Sequence, residues 1–111
     1  MHRKIEKPWG HEVIWAETDN YIAKLIVIEA GQRLSKQYHE EKTETVYVIE
    51  GTLVNYDEND VASMFQVGQS FHVEPGQIHR FGATDYTGVK VIEVSTNHLD
   101  DVIRISDDYG R

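Results

Sequence analysis

The sequence predicts an all-β sandwich or barrel, and three observations carry that reading. Roughly eight to ten short runs rich in β-branched and aromatic residues recur along the chain. Turn signals separate them about every 8–12 residues. No stretch keeps the period of about 3.6 residues that marks an amphipathic helix. A chain of 111 residues suffices for one domain that buries roughly two-thirds of its unfolded surface. No repeat, low-complexity tract or linker divides it, so residues 1–111 read as a single domain.

Residues 1–10 read as a leader ending in Lys7, Pro8, Trp9 and Gly10, where proline and glycine break regular structure and Trp9 can cover one end of a core. Residues 11–17, with Val13, Ile14 and Trp15, form a first strand, and Thr18, Asp19 and Asn20 turn the chain. Residues 21–29 are the clearest strand and end at Ala30 and Gly31. A polar segment follows, then strands over 45–50 and 52–56, read as a tight hairpin about Gly51. Asp57 to Asp60 is a turn, followed by short strands over 62–66, 70–73 and 79–81. Pro75 and Gly76 mark the turn before the last of these. Residues 83–88 are loop and 89–95 a strong strand. The tail from His98 alternates poorly and is expected to make a turn of helix, then lie across the barrel.

Composition narrows the function. Net charge is −8, from 19 acidic and 11 basic residues, which argues against nucleic acid, since that partner needs a basic face. A bound cation with a few Lys or Arg at one mouth can still reverse the potential locally for an anionic substrate. There is no cysteine, so a disulfide-stapled scaffold is excluded. The longest strictly apolar run, Leu25 to Ile28, is far short of a membrane span, and the basic N-terminus leads into no apolar signal region. A soluble cytoplasmic protein is expected.

The chemistry gathers in residues 31–51. Gln37 and His39 are two apart, so in a strand their side chains leave one face with Cα atoms roughly 6.6 Å apart. The polar residues 40–43 have hairpin-loop length, and an antiparallel return brings Glu44 towards His39. His79, after the Pro75-Gly76 turn, is the fourth donor. A lone histidine is more often a satisfied core or surface residue. The constellation of Gln37, His39, Glu44 and His79 instead points to a divalent ion, with zinc first and cobalt, manganese, nickel or iron as alternatives. Gln37 is the weakest member, because a neutral amide is a poor ligand; its other role is to orient a water. His2, His11, His72 and His98 lack such context and read as surface or structural. Asp57 to Asp60 and Asp107-Asp108 read as solvated turn charges, and no dinucleotide, phosphate-loop or nucleophile-elbow pattern occurs.

These segments resemble the two cupin motifs. Gly31, Gln37, His39, Glu44 and Gly51 fit the first throughout. Gly68, Gly76 and His79 fit the second, although Pro75 abuts Gly76 where the family usually puts one residue between. Cupins are double-sheet jelly rolls, so that is the fold the resemblance implies. A closer likeness runs from about Lys7 to Arg111. It rests on Lys7-Pro8-Trp9-Gly10, Tyr21 with Lys24-Leu25, Leu34-Ser35 with Gln37 and His39, Pro75-Gly76 with His79-Arg80, Asp100-Asp101 with Ile103-Arg104, and Asp107-Asp108-Tyr109-Gly110-Arg111. Together they resemble the C-terminal, phosphomannose-isomerase-type cupin domain of the bifunctional mannose-1-phosphate guanylyltransferases. The nucleotidyltransferase half has no counterpart here, so only isomerase-type activity could carry over.

The resemblance implies a metal held by Gln37, His39, Glu44 and His79, and interconversion of mannose 6-phosphate and fructose 6-phosphate through an enediol. A metal on the sugar oxygens suits that chemistry, and a general base must reach the proton that moves. Metal-bound hydroxide, Glu44 or a neighbouring lysine are open alternatives for the base. Lys24, Lys42 and Arg80 are the candidates for phosphate, with Lys42 and Arg80 also candidates for catalysis. Alternation points Arg80 away from the face of His79. Family members usually carry arginine where Lys42 stands; lysine keeps the charge without the bidentate fork. Two other readings compete: a non-catalytic metal-binding cupin that binds a sugar or sugar phosphate, and an iron dioxygenase-type cupin, against which Gln37 in place of a histidine counts. A homodimer is expected by resemblance, with Val13, Ile14 and Trp15 supplying a patch.

Overall fold

Inward–outward alternation along three neighbouring strands builds the central wall. In residues Ile22–Ile28, Ile22, Lys24, Ile26 and Ile28 are buried while Leu25 and Val27 are less so. In Glu44–Glu50 the buried set is Glu44, Val46 and Val48, and in Val89–Ser95 it is Val89, Val91, Glu93 and Ser95. Each strand thus presents an apolar face broken at one position by a charge, and the three charges lie at the same end of the wall.

The computed structural model describes residues 3–111. The elements are β1 (Arg3–Lys7), β2 (Gly10–Glu17), β3 (Ile22–Ile28), β4 (Lys36–Tyr38), β5 (Glu44–Glu50), β6 (Leu53–Tyr56), β7 (Ala62–Phe65), β8 (Ser70–Val73), β9 (Arg80–Ala83), β10 (Val89–Ser95) and β11 (Ile103–Ser106). Six strands form one antiparallel sheet in the order β1-β2-β3-β10-β5-β8. Opposite it lie the β7-β6-β9 sheet and the β11-β4 pair, joined through bridges between Arg33 and Gly82 and between Gln37 and His79. The core between the layers centres on Ile26, Val46, Val48, Leu53, Phe81 and Val91, with Trp9 buried against it. This is the all-β sandwich that the strand pattern predicts, in the double-sheet jelly-roll form that the cupin resemblance implies, and no helix occurs among the described residues.

Five local expectations change. Residues 3–7 of the expected leader are an edge strand, register-paired with β2 from Arg3↔Ile14 to Lys7↔Gly10. Their exposed charges hide the strand pattern. Gly10 is required where the chain comes back, because a Cβ there would run into the Val27 carbonyl. The expected returns at residues 40–43 and at Gly51 are not hairpins. β4 and β5, and likewise β5 and β6, lie in opposite layers, so both segments cross between sheets. Gly51 (φ +78°) makes the second crossing, and a side chain there would strike the Gly88 carbonyl. The tail has a turn at Leu99–Asp100 in place of a helical turn, and then β11, whose backbone pairs with β4 from Ile103↔Tyr38. Ile14 is buried in the core and cannot join an outer patch, whereas Trp15 is exposed. The reading of His2 lies outside the described residues.

Candidate metal centre

The site forms where the two layers face each other. His39 follows β4 in one layer, Glu44 opens β5 in the other, and His79 is brought in by backbone pairing: Gln37 and His79 exchange both N–H···O bonds, at 3.0 and 2.9 Å. Both histidines and Glu44 are almost fully buried, and their ligand atoms lie within 4.8 Å of one another. Glu44 Oε1 is 3.3 Å from His79 Nε2, and Oε2 is 3.7 Å from His39 Nε2. Donors about 2.0–2.1 Å from one tetrahedral ion stand about 3.3 Å apart, a spacing that the Glu44–His79 pair already meets while the widest separation, within 4.8 Å, has to close.

Proton positions favour a cation here. His39 Nδ1 donates to the Asp101 carbonyl at 2.5 Å, and His79 Nδ1 donates to the Gln77 carbonyl at 3.0 Å. A carbonyl only accepts, so both rings carry the proton on Nδ1 and a neutral ring leaves its Nε2 lone pair facing Glu44. Neither Nε2 has a hydrogen-bond partner. Two lone pairs and a carboxylate converging in a buried space need positive charge among them. The donor set fits a borderline divalent ion, and the Nδ1 bonds are the outer-shell contacts that orient ligating imidazoles.

A buried ladder of charge runs from this cluster. Lys42 Nζ lies 2.9 Å from Glu44 Oε2 and 3.3 Å from Glu93 Oε2. Lys24 Nζ lies 4.0 Å from Glu93 and 3.3 Å from Glu12. Burial alone raises the Glu44 carboxyl, but an N–H or positive charge at the facing Nε2 atoms of His39 and His79, together with Lys42, outweighs it and holds Glu44 well below the usual range. Burial lowers the Lys42 ammonium, yet Glu93 and Glu44 carry it above its ordinary value. Glu93 goes the other way: burial first, and Glu44 second, push it up to about 7. Beside the ladder opens a cavity of about 290 Å³, lined among others by Gln37, His39, Lys24, Lys42 and Glu93.

His39, Glu44 and His79 are thus brought together as expected, although across two layers and not by a hairpin. Gln37 lines the same cavity, where its Oε1 accepts a hydrogen bond from Ser35 Oγ at 2.7 Å. Lys24 and Lys42 also line it, each held by carboxylates. Arg80 is not brought to the cavity: its Nε donates to the Leu34 carbonyl at 2.9 Å and its Nη2 to Asp108 at 2.9 Å. Asp108 also pairs with Arg33, and Asp107 with Arg111, so these two are structural partners and not solvated turn charges. His72 sits between Thr45 and Glu74 and His98 beside Thr96, both away from the centre.

Sequence reasoning passed over Glu93, Glu12 and Asp101. The signal for the first two was present. Glu93 shares the inward parity of Val89 and Val91, and Glu12 that of Ile14, and a charge on a buried face needs a partner.

Solved structures place this architecture among the cupins. A cupin-like protein from Thermotoga maritima matches with a TM-score of 0.77 over 88% of this chain and 78% of its own, at 19% identity. A sugar phosphate isomerase of the cupin superfamily from Silicibacter pomeroyi matches with 0.70 over 79% and 59%, at 23% identity. The two facing sheets therefore define a cupin fold. Within that class, a family profile described as Mannose-6-phosphate isomerase C-terminal matches residues 1–107, and the chain belongs to this family. The mannose-1-phosphate guanylyltransferase of Escherichia coli is 31% identical over 114 residues, which takes in 100% of this chain and 24% of the relative. The chain thus spans about a quarter of the length of such curated relatives. No helix among the described residues is long and apolar enough to cross a membrane.

Proposed function

We propose that this domain is a divalent-metal-dependent isomerase that interconverts mannose 6-phosphate and fructose 6-phosphate. The observation that carries the reading is the buried convergence of His39 Nε2, His79 Nε2 and Glu44 beside a cavity that also holds Gln37, Lys42 and Glu93. Family membership supports the substrate class. Zinc is the first candidate for the ion, with cobalt, manganese, nickel and iron behind it.

The reaction moves one proton between neighbouring carbons and transfers hydrogen from a hydroxyl to a carbonyl oxygen, with no net oxidation. His39, Glu44 and His79 would hold the ion, with Gln37 completing the set or orienting a water. A divalent ion at that point supplies Lewis-acid stabilisation of the charge that develops on the sugar oxygens. Of the three carboxylates that line the cavity outside the donor cluster, Glu12, Glu93 and Asp100, Glu93 is the one tied to Glu44 through Lys42, so it takes the proton from one carbon and returns it to the next. Lys42, fixed between Glu44 and Glu93, keeps both carboxylates compensated. Arg80 acts at a distance, by anchoring the tail through Asp108.

One observation favours a second reading, a sugar-phosphate-binding module without turnover: Lys42 is locked in internal ion pairs and has no obvious freedom to meet a substrate. Incubation with mannose 6-phosphate and each divalent metal in turn, followed by assay for fructose 6-phosphate, separates the two. Formation of the ketose supports the isomerase; absence of turnover across a panel of hexose phosphates and metals leaves the binding module. A cytoplasmic homodimer completes the proposal, with exposed Trp15 on the outer face of the large sheet as its contact, testable by sedimentation.

A further inference from the structure

Five cationic side chains line the cavity: Lys7, Lys24, Lys42, Arg104 and Arg111. Three are spent internally. Lys24 is paired with Glu12, Lys42 with Glu44 and Glu93, and Arg111 holds Asp107 through Nε at 3.1 Å and Nη2 at 3.0 Å. Lys7 and Arg104 have no carboxylate at ion-pairing distance among the described residues, although Asp100 lines the same cavity. In a chain of net charge −8, two unpaired cations on one rim are not expected by chance.

Their placement follows from strand pairing. Arg104 on β11 stands opposite Gln37 on β4, so the two side chains share a face, and Gln37 faces the cavity. Lys7 ends β1 beside Trp9, which lines the same space from the other layer. Arg104 is exposed and Lys7 half-buried, whereas His39 and Lys42 are buried, so the unpaired cations mark the mouth, and His39, the member of the metal cluster that lines the cavity, marks the floor with Lys42.

We infer that Lys7 and Arg104 form an anion subsite at the cavity mouth and take the phosphate of a sugar phosphate whose oxygens reach towards His39, Glu44 and His79. The inference rests on the sugar-phosphate reading for the identity of the ligand, but the subsite itself is defined by charge and place. An anion there is held from both ends of the chain, by the N-terminal edge strand and by the C-terminal arm. The planar guanidinium of Arg104 suits bidentate contact with phosphate oxygens, and the Lys7 ammonium adds a point charge.

The test uses inorganic phosphate, titrated by calorimetry into the protein as purified and into the variants Arg104→Ala, Lys7→Ala and Lys4→Ala. Lys4 sits on the same edge strand, is exposed and does not line the cavity, so it controls for general charge. Loss of one charge-assisted contact should weaken phosphate binding by roughly tenfold in each of the first two variants and leave Lys4→Ala unchanged. Cobalt titration should be the same in all four proteins. Phosphate that binds only the ion would ignore every substitution and overturn the subsite; so would a parent protein that binds no phosphate in the millimolar range. Turnover is read separately with mannose 6-phosphate. A protein that binds phosphate through Lys7 and Arg104 but turns nothing over keeps the subsite and loses the isomerase.

Discussion

His39 Nδ1 donates to the backbone carbonyl of Asp101, 62 residues further along the chain, at 2.5 Å. The carboxylate of the same Asp101 accepts the backbone N–H groups of Glu40, Glu41 and Lys42 at 2.9, 2.7 and 2.9 Å. One residue of the C-terminal arm therefore sets the tautomer of a candidate ligand and shapes the loop that delivers Glu44. Asp101→Ala keeps the carbonyl but frees the loop that its carboxylate holds in place, and should lower cobalt or zinc affinity by roughly tenfold, the low end of the cost of disturbing an outer-shell contact. Asp101→Asn, which keeps one acceptor oxygen, should fall between. Equal cobalt titrations for all three proteins would remove Asp101 from the site.

If the three buried donors share an ion, metal must stabilise the fold. Zinc at about 100 times its dissociation constant should add about 2.7 kcal/mol to the unfolding free energy, through preferential binding to the native state. Urea unfolding with and without zinc measures the increment. His79→Ala should abolish it, because two donors remain where three converged.

Lys42 carries the electrostatic balance of the floor. Its ammonium stands between Glu44 and Glu93, both almost fully buried. Lys42→Ala leaves two carboxylates without their shared cation and should cost roughly 3–5 kcal/mol in urea unfolding, the range for breaking a buried pair from one side. Lys42→Arg keeps the charge and should recover most of this. A loss under about 1 kcal/mol for the alanine variant would mean that water reaches the pair, as at exposed salt bridges.

The donors were legible because they sit in short segments with fixed spacing. Gln37 and His39 share a strand face, and Glu44 follows across a loop of four residues. What the spacing could not show was the layer in which each strand ends. A four-residue connection reads equally as a hairpin or as a crossing, and the difference lies in Asp101, which binds the loop from the far end of the chain. Residues 3–7 stayed hidden for another reason: an exposed edge strand has no buried face to impose alternation. Arg80 shows the strength of parity. It neighbours His79 in sequence, and alternation alone turns it from the cavity to Leu34 and Asp108. Glu93 was readable by the same rule, as a charge at an inward position of β10.

The C-terminal hook should give acid sensitivity. Asp107 is held down to about 2, first by the Arg111 guanidinium and then by the backbone N–H groups of Arg111 and Tyr109. Its unfolded value is about 3.9. The folded value is the lower one, so the contribution is complete above about pH 4 and disappears as pH falls towards 2. Asp107→Asn should be less stable than the parent at neutral pH, and the two should converge between pH 4 and pH 2. Amide exchange at Tyr109 and Arg111, followed across this range, measures it; a gap that stays constant with pH would place the effect elsewhere.

Glu93 separates chemistry from metal binding. It lines the cavity, lies outside the donor cluster and contacts Lys42 at 3.3 Å. Glu93→Gln preserves shape and removes the ability to exchange a proton. For a general base this should lower kcat by roughly 10²–10⁴-fold, with little change in KM for mannose 6-phosphate. Cobalt affinity should stay within a few-fold, since His39, Glu44 and His79 keep their geometry. A variant that loses cobalt together with turnover would make Glu93 a support of the metal centre. One that keeps full kcat would return the role of base to another group at the floor, with Glu44 the nearest carboxylate.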